Sequence, residues 1–560
     1  MKAVSPMRQS FGSLHYIRVL LLGLAGGSAG QTLAAPPDAG SILQEIKPRP
    51  AATPGGSEAL PTTPTRSALK LDATVMIAVK ALRITGAKAF RDDKLQPLVA
   101  DSLGHELTLT ELNEIAQRIT RYYRAAGFLL ARAYLPAQEI KDGVVEIAVL
   151  EGRLGKLSVE NRSTLADARV AGYLAELREG DALTDNALER NLLLLSDLPG
   201  VEVQSTLKPG ASVGATDLDV RVANKSAIGG SVELDNYGNR YIGDWRAGAS
   251  LAIGNLTGLS DSLVVRALAA TGMDYGRIAW QLPVGLGGTQ VGAAWSEMRY
   301  RLGKDFVNLE SHGRASIGTL YALHPVIRGR LTNLEAQLAY DRKHLDDDID
   351  STSTYSRKEL DVFTFGLSGD HVDGIGGGGL NRGSLALVTG KLKLDETNLA
   401  LDQTGHRTAG HYAKLALNAS RLQRLTDDFS LSASLRAQAA GKNLDSSEKM
   451  ALGGAQAVRA YPQGEASSDD AWLAKLELRY ALNSDWQATL FYDGAQGKSN
   501  HSPIAADTNN VRRLAGYGVG LACSTQTLSL QLSIAWRDGK QPTSDVDRAP
   551  RAWLLAVKRF

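Results

Sequence analysis

From about residue 225 to the C-terminus, apolar and polar residues alternate. In LSLQLSIAWRD (528–538), Leu528, Leu530, Leu532, Ile534 and Trp536 share one face, and Ser529, Gln531, Ser533 and Arg537 share the other. FSLSASLRAQ (429–438) sets Phe429, Leu431, Ala433 and Leu435 opposite Ser430, Ser432, Ser434 and Arg436. WLAKLELRYAL (472–482) sets Trp472, Ala474, Leu476, Leu478 and Tyr480 opposite Lys475, Glu477 and Arg479. Period-two alternation predicts strands with one apolar face. Such strands also build soluble sandwiches. Three features favour a membrane barrel: aromatics near the ends of the apolar faces, alternating connection lengths, and a terminal Phe560. NSD (483–485) and STQT (524–527) are short, whereas GKSNHSPIAADTNN (497–510) and GKQPTSDVDRAP (539–550) are long. At about twenty residues per strand and loop, residues 225–560 hold about sixteen antiparallel strands. Lys558 breaks the outward apolar pattern and is expected to snorkel to the interface.

Upstream the periodicity is mixed. VKALRITG (79–86) alternates like a strand. Thr108 and Glu111 have the spacing of a capping box, and Leu112, Ile115, Ile119 and Tyr122 then recur at helical spacing up to Gly127. FLLARAYL (128–135) and GVVEIAVLEG (143–152) read as two strands. Residues 152–224 repeat this order: strand GKLSVEN, helices TLADARVAGYLAEL and TDNALERNLLLLSDL, then strands VEVQSTLKPG and TDLDVRVAN. Two successive α+β modules, 72–151 and 152–224, therefore precede the barrel. Residues 36–71 offer one short amphipathic helix, GSILQEIKP, followed by a Pro-rich linker. Residues 1–35 read as an export signal, with Arg8 and Arg18 ahead of VLLLGLAGG and small residues near Ala34.

Composition narrows the function. Sixty-two basic residues balance 60 acidic ones, a net charge of +2, so a nucleic acid is not the expected partner. Cys523 is the only cysteine, which rules out an intramolecular disulfide and a Cys-based metal site. GIGGGG (374–379) lacks the helix and acidic residue of a dinucleotide site and reads as a strand connection. DDDID (346–350) lacks EF-hand spacing and reads as a solvated extracellular loop. There is no H-E-x-x-H, no Walker A and no Ser/His/Asp constellation. No cofactor, metal or catalytic residue is expected.

RYYRAAGFLLARAYLPAQEIKDGVVEIAVLEGRLGKL (121–157) resembles the first POTRA domain of two-partner secretion transporters, the TpsB family that includes FhaC and ShlB. The matching residues are Gly127, LPAQ with Pro136 and Gln138, DG with Gly143, and EG with Glu151 and Gly152. LHPVIR (323–328) resembles a family strand motif. VRAY, that is Val458, Arg459, Ala460 and Tyr461, resembles the V-R-G-Y motif of the family's sixth extracellular loop, which folds back into the barrel. Alanine stands here where the family has glycine, which matters if the position needs a positive φ. LFYDGAQG (490–497) resembles the inner-wall motif, with Phe491, Asp493 and Gly494. Strand parity independently turns Asp493 into the lumen, where it would pair with Arg459.

The resemblance implies periplasmic POTRA domains, a plug helix and an outer-membrane barrel of about sixteen strands in a Gram-negative bacterium. It implies an outer-membrane pore that takes up a large unfolded exoprotein of haemolysin or adhesin type without nucleotide hydrolysis. The implied partners are that exoprotein, outer-membrane lipid and, through Phe560, the barrel assembly machinery. The alternative is an assembly factor of the BamA type. Two POTRA modules and R-A-Y in place of R-G-F weigh against it.

Overall fold

The computed structural model describes residues 36–46 and 76–560. The export signal and most of the Pro-rich linker lie outside the described residues. The amphipathic segment forms helix α1 (Ala39–Ile46).

The first module contains β1 (Met76–Ala78), β2 (Ala81–Thr85), α2 (Asp92–Leu95), β3 (Glu106–Thr108), α3 (Leu109–Ala125), β4 (Arg132–Tyr134) and β5 (Val144–Leu150). Helix α3 begins where the Thr108 hydroxyl accepts from the Glu111 amide and the Glu111 carboxylate accepts from the Thr108 amide, a complete capping box. Leu112, Ile115, Ile119 and Tyr123 are buried against the sheet β2-β5-β4, while Tyr122 is only partly buried. The predicted strand 128–135 is shortened to β4 because Phe128 and Leu130 pack as a turn.

The second module holds β6 (Arg153–Asn161), α4 (Asp167–Tyr173), α5 (Asp185–Ser196), β7 (Val201–Pro209) and β8 (Ala215–Asn224), with sheet order β6-β8-β7. Leu188, Leu192 and Leu195 of α5 are buried in its core.

A closed antiparallel barrel of 16 strands follows. Its strands are β9 (Ile228–Asp235), β10 (Arg246–Gly254), β11 (Ser262–Ala270), β12 (Met273–Val284), β13 (Thr289–Arg301), β14 (Ser311–Arg328), β15 (Thr332–Ile349) and β16 (Thr354–Asp373). The second half comprises β17 (Gly379–Leu394), β18 (Gly410–Arg424), β19 (Phe429–Ala440), β20 (Asp470–Ala481), β21 (Trp486–Lys498), β22 (Val511–Ser524), β23 (Leu528–Arg537) and β24 (Arg551–Arg559). A short helix, α6 (Glu396–Thr404), lies in the β17–β18 loop. Phe363, Phe365, Trp472, Leu490, Tyr517 and Leu532 are exposed on the outer wall, as lipid contact requires. No helix among the described residues is long and apolar enough to cross a membrane. Closure joins β24 to β9 over a short register, from Leu555↔Asp235 to Arg559↔Ser231. Strands β15 and β16, in contrast, pair from Thr332↔His371 to Ile349↔Thr354.

The acidic run DDDID departs from its expected place in a loop. Asp346, Asp347, Asp348 and Ile349 continue β15, and only Asp350 leaves it. Pairing with β16 extends the hairpin, because Arg357 opposite Asp346 offsets the outward carboxylates. GIGGGG is the tight connection between β16 and β17, with Gly376, Gly377 and Gly378 all at positive φ.

The second module is keyed to the barrel's periplasmic rim. LHPVIR ends β14; a register irregularity lies between Pro325 and Ile327, and Arg328 follows. Arg328 Nε and Nη2 each lie 2.8 Å from a different oxygen of Asp197, just beyond α5. Arg190 donates to the Pro325 carbonyl at 3.3 Å, and the Arg330 amide donates to Glu189 at 2.9 Å.

Candidate functional site in the barrel lumen

Two segments fill the lumen. The first is the long loop between β19 and β20, which turns inward at AVRAY. Asp493 lies on the inner face of β21 and is fully buried. Arg459 reaches it three ways: its amide donates to Oδ2 at 3.1 Å, Nε to Oδ2 at 2.8 Å, and Nη2 to Oδ1 at 2.7 Å. Its Nη1 lies 2.9 Å from Glu477 on β20, and its guanidinium stacks 3.4 Å over the Phe491 ring. The Arg459 carbonyl accepts from the Trp553 indole at 2.7 Å. Planar bidentate pairing and ring stacking both need a guanidinium; an ammonium supplies neither.

Around this contact, Val458, Ala460 and Tyr461 are buried with Leu452, Leu473 and Leu514. Tyr461 donates to the Lys540 carbonyl at 2.9 Å. Glu465, fully buried, pairs with Arg512 and accepts from the Thr543 and Ser544 amides at 3.1 and 2.9 Å, tying this loop to the β23–β24 loop. Burial raises the Glu465 carboxyl, but Ser544, Arg512 and Thr543 outweigh it and hold the group below its ordinary range.

Alanine fits where the family has glycine. Ala460 is not among the positive-φ residues. Its methyl faces Gly516 on β22, where an added Cβ would sit 2.4 Å from the Ala460 Cβ. Gly516 pairs in register with Asp493, so the hole in the wall and the carboxylate that receives the loop are side by side. Gly494 falls on the opposite strand face from Asp493, near the Tyr492 ring.

The second lumen segment is α1. Ala39, Ile42, Leu43 and Ile46 are buried against wall residues that include Met298, Leu345, Leu360 and Leu392. Polar contacts hold both ends. Asp38 accepts from Lys358 at 2.9 Å and from Ser446 at 2.6 Å. The Ala39 amide donates to Asp347 at 2.7 Å, so part of the acidic run caps this helix. Gln44 donates to the Ser447 carbonyl. Glu45 accepts from Asn239 at 3.2 Å, but its Oε2 is buried without a partner. Burial pushes the Glu45 carboxyl up to about 7, against the pull of Asn239 and Arg246. Next to the helix, Glu448 of the inward loop bridges Lys343 at 2.5 Å and Lys414 at 2.9 Å, so loop and plug share one wall.

The POTRA-motif residues sit away from the lumen and build the first module. Gly127, at φ +89°, follows α3, and its carbonyl accepts from the Asp185 amide of the second module at 2.7 Å. Gln138 donates to the Glu146 carbonyl at 2.8 Å and accepts from the Glu146 amide at 2.7 Å, standing in for a strand beside β5; it also donates to the Pro136 carbonyl at 3.3 Å. Gly143 turns the chain at φ +74° and accepts from the Lys80 amide at 2.8 Å. Glu151 is buried and receives the Lys88 and Ala89 amides at 2.5 and 2.6 Å and the Tyr123 hydroxyl at 3.0 Å. A Cβ on Gly152 would lie 2.5 Å from Leu130. At the other end of the chain, Phe560 exchanges backbone hydrogen bonds with Gly230 at 3.0 and 3.1 Å, and its ring is exposed.

Sequence reasoning missed Glu477, Glu465, Trp553, and the Arg328–Asp197 pair. Parity had already turned Glu477 inward, but nothing in the sequence linked it to Arg459.

Small periplasmic modules, a 16-stranded barrel and a lumen closed by a helix and an inward loop define a polypeptide-transporting outer-membrane barrel. Residues 214–523 match the family described as haemolysin secretion/activation protein ShlB/FhaC/HecB, and residues 77–152 match the ShlB-type POTRA domain. The chain belongs to that family and resides in the outer membrane with its POTRA domains in the periplasm. It is similar to the heme/hemopexin transporter protein HuxB of Haemophilus influenzae, 27% identical over 94% of this chain and 95% of that one. It is also similar to the outer membrane transporter CdiB of Dickeya dadantii, 25% identical over 78% of this chain and 79% of that one. Among solved structures, CdiB from Escherichia coli superposes with a TM-score of 0.66 at 21% identity, covering 90% of this chain and 95% of that one. BamA from Haemophilus ducreyi shares the barrel fold at 15% identity and a TM-score of 0.50, covering 86% of this chain and 100% of that one.

Proposed function

We propose that this transporter exports one large, unfolded exoprotein of haemolysin or adhesin type, captured by the POTRA modules and passed through the lumen without nucleotide hydrolysis. The observation that carries this reading is a lumen closed by two segments of different character, an inward loop continuous with wall strands and a separate helix packed against them. The edge strand β7 of the second POTRA sheet offers backbone groups to an extended client, whereas Thr120 takes the outward amide of β4 and residues 180–182 pair with the start of β6. The Arg328–Asp197 clamp holds the second module at the rim, so a captured chain is delivered at a fixed place. In the resting state Arg459 and Asp493 set the inward loop, and α1 keeps the pore narrow. Phe560 and its strand serve recognition by the barrel assembly machinery during biogenesis.

The test is co-expression with a candidate large exoprotein encoded by the neighbouring reading frame. Export should depend strictly on this chain while other outer-membrane barrels stay at normal levels. Loss of many barrels together, with the exoprotein unaffected, would favour an assembly role instead.

A further inference from the structure

Beside the Arg459–Asp493 contact, the inner wall presents two further cations, Lys475 level with Asp493 in register and Arg436 one step toward the loop end. Arg436 on β19 and Lys475 on β20 both turn inward. Arg436 Nη2 and Lys475 Nζ each donate at 3.1 Å to the same acceptor, the carbonyl of Gln456 at the loop tip. A carbonyl has two lone pairs, so it can receive both donors, but it cancels neither charge. The neighbouring carboxylates are committed elsewhere: Asp493 to Arg459, and Glu477 to Arg459 and Arg479. Among the described residues neither Arg436 nor Lys475 forms an ion pair. Asp493 is the register partner of Lys475, yet its two oxygens are both taken by Arg459. Both cations remain partly exposed to the lumen, and Ser434 lies opposite Lys475 in register.

Two like charges this close, in a site with reduced water, repel each other unless an anion joins them. We infer that Arg436 and Lys475 form a carboxylate-binding shelf that receives acidic side chains of the polypeptide entering the pore. A carboxylate there gains charge-assisted hydrogen bonds from both donors while Gln456 keeps its place. Each acidic residue would be held briefly beside the loop tip, and the shelf would favour clients with acidic segments over basic ones. This assignment rests on the secretion reading for the identity of its ligand.

The experiment is binding of a fluorescent oligoglutamate peptide to the purified full chain in detergent, followed by anisotropy. Affinity should fall about tenfold for Arg436→Gln or Lys475→Gln and further for the double variant, and it should weaken as salt is raised. Arg436→Lys should retain binding. Ser434→Asp, which removes neither cation, should also weaken binding by supplying a carboxylate from within. Oligolysine and oligoserine should not compete. Equal peptide affinity in the double variant and the parent, or equal binding of oligoserine, would overturn the shelf. Absence of peptide binding alongside intact, strictly dependent exoprotein export would remove the shelf and leave the secretion reading standing. Peptide binding without export dependence would remove the secretion reading alone.

Discussion

The two segments that close the lumen are held by different physics. The inward loop is continuous with β19 and β20, and its buried charges are matched: Arg459 meets two carboxylates and a ring, and Glu465 meets Arg512 and two backbone amides. Helix α1 is a separate segment that packs against the wall strands β14 and β15 and the inward loop. Its apolar face is well covered, but its polar contacts are incomplete, with unpartnered buried oxygens on Glu45 and on Asp347 beside it. A buried ion pair with every hydrogen bond made is costly to break, whereas a buried polar atom without a partner already carries its desolvation cost. The loop is therefore held by a more complete set of polar contacts than the plug.

The largest effect is expected where a charge is stranded in the loop. Asp493→Ala leaves Arg459 buried with Glu477 alone and should cost about 3–5 kcal/mol of loop docking. Limited proteolysis within 453–465 would register it, with the barrel still resistant to heat in detergent. Arg459→Ala should reduce export while the barrel stays folded; normal export would exclude an essential role for the pin. Combining Arg459→Asp with Asp493→Arg tests their contact, and no recovery of export would weaken it.

Gly516→Ala sharpens the comparison from the wall side. The added methyl meets that of Ala460, and overpacking should cost about 1–3 kcal/mol of loop docking. Ala460→Gly in the same chain should relieve it. Failure of this rescue in a proteolysis assay would mean that the two methyl positions are not in contact.

On the plug side, Lys358→Ala strands Asp38 and Asp445, which Lys358 now joins at 2.9 and 3.0 Å. Because Lys358 joins α1 to the wall while the strand pairing of the barrel is untouched, the expected result is plug release rather than unfolding. Single-channel recording should show longer large-conductance openings, and unchanged openings would argue that the apolar face alone seats the helix.

The most gradual effect is a pH dependence, spread over several pH units. The Glu45 carboxyl titrates at about 7 in the seated plug, above its ordinary 4.5. The seated state therefore binds its proton more tightly, so seating is favoured below about 4.5 and weakens as pH rises towards 7. The effect is on the order of 1 kcal/mol for each pH unit crossed. Glu45→Gln should remove this slope from the plug's conductance gating, and an unaltered slope would assign the dependence to another group.

Much of this architecture was legible in the sequence because it repeats locally. Alternation in 429–438, 472–482 and 528–538 marked the wall, and parity alone turned Asp493 inward. The Thr108–Glu111 capping box marked the start of α3 for the same reason: its partners are three residues apart. What escaped was long-range or broke the local rule. Glu465 finds Thr543 and Ser544 far along the chain, and Asp197 finds Arg328 across a domain boundary. The acidic run read as loop because its composition is polar, yet alternate residues serve different faces: Asp347 turns inward to α1, while Asp346 and Asp348 meet Arg357 outside. The family's POTRA signature was easy to find, and the contacts of Gln138, Glu151 and Gly152 explain it as a set of folding constraints on the first module.

The most direct measurement is residue-resolved hydrogen exchange on the full chain, with and without the candidate exoprotein. The Arg459 amide, bonded to Asp493, reports the loop, and the Ile42 amide, bonded to the Asp38 carbonyl, reports the plug. The expected result is loss of protection at Ile42 with Arg459 still protected. Loss of protection at Arg459 while Ile42 stays protected would contradict the account.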